Sequence, residues 1–580
     1  MVRRFVSVLS ITLVACVASP PSDDAAPLEQ AALNLALTVP HRARIGSTIT
    51  VSGRGFHKGD YVRLAGEGGK LPLAGCGAGA SIRVHGDGTF SARFVVPAMD
   101  AGGTTVVAES HTDVACKTAV ATTASAQTLF LPPLSSDSSV WPSTTSSSNS
   151  DPWIAAHHDA IREMRPQLLV IRYANTQPDT ARFTADIESA VLEVDEGTRY
   201  RAYANANAPA FLDYKVVKTL DLRDRSAWAD GNSNAWPFSS NAARPFHAGV
   251  SDLFSDAYAQ NLGFFDPSVG RYLTLGELYK QGIINEVWFY GEQATDGSDD
   301  LIFEAIELKE MYDHAGKKRT DLATDGRFAC NAAGCFDPCA GNGCFPIDLA
   351  HTLASSFGVS MRIAFMNAHQ AGGSFIHSLG HTFEGMSGHD YGDPAFVPLP
   401  YLTENFRHFA NFDYQARFPG APFQSLYGSH CGDDPTTHAP LCTVAFAHVN
   451  GTASNDALTW TNHPAAQTFT MDPYAQGCGN VHFPPNATSD YQTSSNSVVL
   501  AGCETFGDDP AGHDARRPYS AARLGYLDSF LRGLPNPTDS STDPEAAWQT
   551  FWRQSMPGKG NHAHAKDGSP MKNWWPFLFY

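Results

Sequence analysis

A stretch rich in Ser, Thr and Pro at residues 131–152 divides this chain into two regions of different periodicity. Before it, residues 33–130 alternate between apolar and polar side chains in short runs separated by Gly and Asp. Such alternation predicts strands, and strands without helices between them predict a β-sandwich. After it, apolar runs alternate with helical stretches, which predicts an α/β domain with a largely parallel sheet. We therefore predict a multidomain chain: an all-β sandwich at 33–130, a linker at 131–152 and an α/β domain at 153–580.

The α/β prediction depends on apolar runs that are long enough for strands and too short for buried helices. The runs lie at 167–173, 286–290 and 361–366, and the helical stretches lie at 153–164, 183–193 and 301–312. In a parallel sheet the ligand crevice lies beyond the carboxyl ends of the strands. That rule predicts a crevice near Arg172, Glu292, Asn367 and His369.

The chain is acidic, with a formal net charge of -19 at pH 7. Such a charge opposes binding to polyanions, so we expect neither nucleic acid nor an anionic lipid surface as a partner. The sequence also lacks a Gly-x-Ser-x-Gly elbow, a Walker A loop and a dinucleotide-binding fingerprint. Serine hydrolase, nucleotide and dinucleotide chemistry are therefore disfavoured. Nothing in the sequence indicates an oligomeric state.

The first residues predict export. Arg3 and Arg4 precede an apolar run at 5–14 that is too short to span a bilayer as a mature helix. The run ends in Leu-Val-Ala followed by Cys16, which resembles the lipobox of bacterial lipoproteins. The resemblance implies a signal peptide at 1–15, lipidation of Cys16 and a tether at 16–32. The protein would then sit in the cell envelope, held to a membrane by its lipid alone. An ordinary signal peptide that contains a Cys is the alternative.

The predicted sandwich carries a second resemblance. The segment 46–56, followed by Gly59 and Asp60, is similar to the opening of bacterial immunoglobulin-like (IPT/TIG-like) surface domains. The resemblance implies a spacer or an adhesive module, and with it an extracellular polymer, peptide or polysaccharide, as a partner.

The cysteine count agrees with export, because an even number remains once Cys16 is removed from the 11. In an oxidising compartment an even number predicts disulfides. We expect local pairs Cys76 with Cys116, Cys431 with Cys442, and Cys478 with Cys503. The four cysteines Cys330, Cys335, Cys339 and Cys344 predict either two disulfides, with the connectivity open, or a zinc site; the compartment favours disulfides.

The best candidate site lies at 372–385. Its apolar residues predict a helix on which His377, His381 and Glu384 share one stripe. This pattern partly resembles the His-Glu-x-x-His zinc helix of metallopeptidases, with Ser378 where those enzymes carry the catalytic Glu. The resemblance implies zinc or another divalent transition metal bound by the two histidines. We predict a third ligand from Glu384, His389 or His482, and proton transfer by Glu384 or Glu404, in a hydrolase of peptides or glycans.

Three alternatives stay open. The histidines could form a buried polar patch in which one is hydrogen-bonded to Glu384. Glu286 and Glu292, which flank an apolar run, could serve as paired carboxylates of a glycoside-active enzyme. The chain could also be a non-catalytic surface protein that binds a polymer. The apolar segment 573–580 is expected to pack into the body, or otherwise to offer an aromatic platform for carbohydrate.

Overall fold

The structure is a computed structural model. The residues it describes are 35–66, 71–76, 81–146, 152–172, 180–222, 250–291, 305–313, 316–322, 328–341, 343–367, 372–386, 399–410, 443–448, 456–461, 467–470, 477–481, 484–486, 492–510, 514–522, 524, 544–565 and 567–580.

The region before the Ser-rich stretch contains only strands among its described residues. They are β1 (Ala36–Thr38), β2 (Arg42–Arg44), β3 (Thr48–Arg54), β4 (Tyr61–Gly66), β5 (Leu71–Ala74), β6 (Ile82–Arg83), β7 (Phe90–Val95), β8 (Gly102–His111) and β9 (Thr122–Leu131). One sheet has the order β1-β3-β7, and the second has the order β2-β9-β8-β4-β5, with β6 beside β4. The two sheets share one hydrophobic core, which includes Val51 of β3, Leu64 of β4 and Val106 of β8.

The rest of the chain adds further strands and all the described α-helices. The strands are β10 (Val140–Trp141), β11 (Glu163–Met164), β12 (Gln167–Arg172), β13 (Lys215–Asp221), β14 (Phe265–Asp266), β15 (Arg271–Tyr272), β16 (Glu286–Gly291), β17 (Ala305–Glu310), β18 (Ala329–Asn331), β19 (Gly334–Asp337), β20 (Met361–Asn367), β21 (Thr443–His448), β22 (Asp456–Thr461), β23 (Gln467–Thr470), β24 (Val499–Ala501) and β25 (Arg517–Tyr519). The helices are α1 (Pro152–His157), α2 (Thr180–Glu196), α3 (Val250–Leu253), α4 (Asp256–Leu262), α5 (Leu275–Lys280), α6 (Ile347–Ser356), α7 (Gly372–Met386), α8 (Pro400–Phe409) and α9 (Pro544–Ser555).

A seven-stranded sheet with the order β13-β12-β16-β20-β17-β19-β18 forms the centre of this region. The first four strands are parallel, and β17, β19 and β18 continue the sheet with antiparallel pairing. The apolar runs predicted at 167–173, 286–290 and 361–366 become the central strands β12, β16 and β20.

Both faces of the central strands are buried. Leu168 and Val170 of β12 face a core that includes residues of α2, α7, α8 and α9. Leu169 and Ile171 face a second core, which includes residues of α3, α4, α5 and α6. Since neighbouring residues of a strand point to opposite sides, a strand covered on both faces must be apolar at every position. That requirement explains the unbroken apolar runs.

The helix predicted at 301–312 is wrong over its described part, because residues 305–310 form strand β17. All its side chains are buried, with Ile306 and Leu308 on one face and Glu307 and Lys309 on the other. Ala, Glu, Leu and Lys favour a helix in isolation, but pairing with β20 overrides that preference. The helix predicted at 183–193 is confirmed within α2, whereas the one predicted at 153–164 ends as α1 at His157.

Part of the predicted linker is packed against the body. β10 pairs with β11, and Trp141 is fully buried. The sandwich also contacts the body directly: the Gly103 N–H donates to the Gly263 carbonyl at 2.9 Å, and Arg42 binds the buried carboxylate of Asp266. Residues 147–151 lie outside the described part.

Among the described residues, four disulfides confirm that the chain contains disulfide bonds, as the cysteine count predicts. They join Cys76 to Cys116, Cys330 to Cys335, Cys339 to Cys344, and Cys478 to Cys503. The zinc alternative for the cluster at 330–344 is therefore wrong, since all its cysteines are paired. Cys16, Cys431 and Cys442 lie outside the described residues.

The segment 573–580 packs into the body, as expected, with Trp574 and Trp575 fully buried. Of the helices in the described ranges, none combines the length and apolar character needed to cross a membrane.

Candidate active site

The candidate site is built on α7, which follows β20 and packs against α9. Two glycines allow the close approach of its neighbours. A Cβ at Gly380 would lie 2.4 Å from Cγ1 of Val481, and a Cβ at Gly385 would lie 2.1 Å from the Ala340 carbonyl oxygen. Both distances are far below van der Waals contact. The glycines of the predicted helix therefore set how tightly segments from elsewhere in the chain cover it.

The stripe predicted on α7 is present and buried. His377, His381 and Glu384 are 2%, 4% and 0% exposed, respectively. Nδ1 of His381 lies 2.6 Å from Oε2 of Glu384, and Nε2 of His381 lies 3.0 Å from Nε2 of His377. Since a carboxylate can only accept, Nδ1 of His381 carries a proton. In a neutral ring, Nε2 of His381 then presents a lone pair toward His377.

The far end of this chain of contacts is Glu545, which the sequence analysis missed. Its Oε1 lies 3.1 Å from Nδ1 of His377, and its side chain is 19% exposed. A sequence signal was present, because Glu545 and Gln549 stand at i and i+4 of α9 and so share one face of that helix. We refer to His377, His381, Glu384 and Glu545 as the histidine cluster.

Two groups compete for Nδ1 of His377. The Glu545 carboxylate lies at 3.1 Å, whereas Nε2 of Gln549 lies at 3.5 Å, which is long for a hydrogen bond. A lone pair on Nδ1 would be repelled by the nearer carboxylate, so Nδ1 carries a proton and Gln549 is the weaker contact. In neutral rings Nε2 of each histidine then carries a lone pair, and the two atoms lie 3.0 Å apart.

A disulfide-bound segment covers the cluster. The Val481 N–H donates to Oε1 of Glu384 at 3.3 Å, and the Val481 carbonyl accepts from Gln549 at 2.8 Å. The Cys478 to Cys503 disulfide fixes this segment. His482, the predicted third ligand, follows Val481 directly in the sequence and lies outside the described residues.

A second buried network lies on the neighbouring side of α7. Thr382 donates to Oε1 of Glu307 at 3.0 Å, and Arg362 bonds to Glu286 and lies 3.4 Å from Glu307. Burial raises the pKa of Glu307 to about 7, against the opposing effects of Arg362 and Lys309. This network anchors α7 to the central sheet without contacting the histidines directly.

Glu286 is held within that network. One of its carboxylate oxygens accepts from the Tyr214 hydroxyl at 2.7 Å, and the other accepts from the Trp288 indole at 2.5 Å. It stands at the start of β16, while Glu292 follows the other end of the strand and lies outside the described residues. The paired-carboxylate alternative therefore stays a prediction.

Of the remaining predicted residues, Arg172 has a described side chain, and its contacts include Thr180 and Phe183. Arg172 is buried at the end of β12, where its guanidinium lies over the Phe183 ring at 4.8 Å. Glu404 belongs to α8, but its side chain is not among the described ones; His369 and His389 lie outside the described ranges. Among the described residues, no three His, Cys, Asp or Glu side chains form a group that could hold a metal ion.

Comparison with known proteins gives little. No family model matches the chain, and no curated protein matches it. One solved structure, a Paenibacillus sp. cycloisomaltooligosaccharide glucanotransferase complexed with cycloisomaltoheptaose, is 10% identical over 73% of this chain and 58% of that chain, with a TM-score of 0.12. A score this low does not support a shared fold.

Proposed function

We propose that the protein is an exported, lipid-anchored, metal-dependent hydrolase of peptides or glycans, with its site at the histidine cluster. One observation carries the proposal: two imidazoles, each with a carboxylate beside its Nδ1, bring their Nε2 atoms within 3.0 Å of each other. Histidines that bind metals commonly donate their other N–H to a carboxylate, which fixes the tautomer and the ring orientation.

The separation of the two nitrogens fits one shared ion. Zn–N bonds of about 2.0–2.1 Å with an angle between 90° and 110° at the metal place the two nitrogens about 2.8–3.4 Å apart. The observed 3.0 Å lies inside that range. The same 3.0 Å also fits an N–H···N hydrogen bond, in which an extra proton takes the place of the metal.

The two carboxylates also favour a cation at this site. Glu384 and Glu545 each bring a negative charge beside the histidines, and Glu384 is fully buried. A divalent cation between the histidines would be attracted by both charges.

The chain's own residues have separable roles. A divalent ion bound here would supply Lewis-acid chemistry, lowering the pKa of a water or polarising a carbonyl. Glu384, which is fully buried, holds the Nδ1 proton of His381 and keeps its Nε2 directed at His377. Glu545 is partly exposed, so we assign it a role in proton transfer beside the predicted Glu404. His482 is the proposed third ligand, because the described residue before it, Val481, bonds to Glu384.

The proposal includes the rest of the chain. We propose that residues 33–130 are an immunoglobulin-like module, and that 153–580 is an α/β catalytic domain with helices on both faces of the sheet. The lipidated Cys16 would hold the protein in the cell envelope. The sandwich contacts the α/β domain directly, which supports a module held in a fixed position against that domain.

The deciding experiment is the metal content of the mature full-length protein after gentle dialysis. We expect about one equivalent of zinc or another transition metal, lost in the double variant His377→Ala/His381→Ala. A matched control is His562→Ala/His564→Ala, which also removes two histidines but lies outside the cluster and should retain the metal. A folded wild-type protein without metal would refute the proposal and leave a buried polar patch with a shared proton.

A further inference from the structure

A second site lies away from the histidine cluster. A cavity of about 420 Å³ opens beside α1, between the start of α8 and the segment 572–580. Pockets that bind small molecules span roughly 300–1,000 Å³. None of its described lining residues belongs to the histidine cluster.

Aromatic rings in mutual contact line this cavity. Centroid distances are 5.9 Å from Tyr401 to Phe577, 5.5 Å from Phe577 to Tyr580, and 5.4 Å from Tyr580 to Tyr312. Tyr312 and Tyr580 are perpendicular. The apolar segment 573–580 predicts either packing into the body or an aromatic platform. In the structure Phe577 and Tyr580 are buried and also line the cavity.

The hydroxyl of Tyr580 is hydrogen-bonded to His158, and the direction of that hydrogen bond can be assigned. Nε2 of His158 faces the Asn573 carbonyl at 2.7 Å and therefore donates, so its Nδ1 accepts from the Tyr580 hydroxyl at 2.6 Å. Burial lowers the pKa of His158 to about 4, which keeps the ring neutral. The Tyr580 hydroxyl thus donates its hydrogen bond to His158, and its oxygen can still accept one.

Donors come from the other side of the cavity. The Tyr401 hydroxyl accepts from the Lys572 N–H at 2.9 Å, which leaves its own proton to donate. The ammonium of Lys572 lies 5.5 Å from the Tyr401 ring centroid, and Lys572 is exposed. Residues that line the cavity therefore offer both donors and acceptors beside aromatic rings.

We propose that this cavity is a binding site for a saccharide ring. A pyranose has apolar C–H faces that pack on aromatic rings, and hydroxyls that both donate and accept hydrogen bonds. A purely apolar ligand could not accept a hydrogen bond from the Tyr401 hydroxyl, whose oxygen already accepts from the Lys572 N–H. The proposal is independent of the metal site, and it gives an anchored envelope protein a means of holding glycan.

The test uses the full-length protein and ligand-observed saturation-transfer NMR. The probes are the methyl glycosides of glucose, mannose, galactose and N-acetylglucosamine, with 4-hydroxybenzoate as an aromatic anion. We expect transfer to at least one glycoside. Ala156→Trp, at an exposed position that lines the cavity, should weaken it by about tenfold or more by filling the space. Ala160→Trp, exposed and outside the lining, should leave binding unchanged.

A second variant tests the polar assignment. Tyr401→Phe keeps the ring and removes the donor, and should weaken glycoside binding by about three- to tenfold. Absence of transfer to every glycoside, or binding insensitive to Ala156→Trp, would overturn the proposal. Transfer to 4-hydroxybenzoate alone would also overturn it and place an aromatic anion in the cavity instead. These variants should leave the metal content unchanged, so this test and the test of the hydrolase can fail separately.

Discussion

Replacing Gly380 by Ala should separate α7 from the segment that covers the histidine cluster. The added Cβ would lie 2.4 Å from Cγ1 of Val481 and 3.2 Å from Cζ3 of Trp552. Carbon atoms in contact lie about 3.5–4.0 Å apart, so Val481 must retreat by about 1 Å. The hydrogen bond from the Val481 N–H to Glu384 is already 3.3 Å long, and this movement should break it.

The expected magnitude follows from opposing effects. Ala in place of Gly in a helix interior stabilises by about 1 kcal/mol, while forcing a methyl into a filled core costs about 1–3 kcal/mol. We therefore expect Gly380→Ala to lower the free energy of unfolding by about 1 kcal/mol. Val481→Ala empties a fully buried site and should cost about 2 kcal/mol. In the double variant the new methyl occupies the emptied space, so the total should be about 1 kcal/mol rather than 3, a coupling of roughly 2 kcal/mol.

The assay is equilibrium urea unfolding followed by tryptophan fluorescence, because Trp548 and Trp552 are buried in α9 beside the contact. The four proteins of the cycle should show equal m values, so that differences in midpoint report stability. Independent sites add to within about 0.5 kcal/mol. If the two substitutions add to within that margin, Val481 does not limit the approach to α7 and the reasoning is refuted.

Burial raises the pKa of Asp195 to about 8, whereas an Asp in an unfolded chain has a pKa of about 3.9. Between about pH 3.9 and pH 8 the folded state therefore holds a proton that the unfolded state has lost. The free energy of unfolding falls as the pH rises through this range. Asp195→Asn should therefore gain in unfolding midpoint over wild type at pH 8 relative to pH 5, and equal gains at both pH values would contradict this. Cys478→Ser/Cys503→Ser opens a loop with a sequence separation of 25 and should lower the free energy of unfolding by about 3.5 kcal/mol in urea titrations; an unchanged midpoint would show that the segment is held by other contacts. Glu384→Gln and Glu545→Gln should each weaken metal binding by about 10–100-fold in chelator competition, and affinity unchanged in both would remove the carboxylates from the site.

The central strands could be predicted because their signal is local. Helices cover both faces of the sheet, so β12 and β16 are apolar at every position, and the runs are visible without knowledge of their neighbours. β17 could not be found in that way. Its Glu307 and Lys309 are buried, and they are tolerated only because partners such as Arg362 and Thr382 arrive from distant parts of the chain. A charged residue that is paired in the fold cannot be told from a solvated one in the sequence.

The residues of the candidate site likewise divide into those that a local sequence pattern predicts and those that only long-range packing brings together. His377, His381 and Glu384 share one helix, so helical periodicity alone places them together, and the structure brings them within hydrogen-bonding distance. Glu545 reaches His377 from α9, through the packing of two helices that are far apart in the sequence. The polar pair at 545 and 549 identifies one face of α9, but the sequence does not show that α7 packs against that face. His482 and Glu404 stay predictions, since neither side chain is described.

In the proposed metal site, stability and chemistry would depend on the same atoms. Both histidines come from α7, whereas the carboxylates beside them come from α7 and from the first turn of α9, where a negative charge also interacts favourably with the helix dipole. A cation between the Nε2 atoms would therefore tie the two helices together through His377 and Glu545. The only partly exposed member of the cluster is Glu545, so solvent reaches the site from the beginning of α9. Ligands held rigidly on the buried side, with a carboxylate at the solvent side, are the arrangement in which water can be activated without loosening the helix that binds the ion.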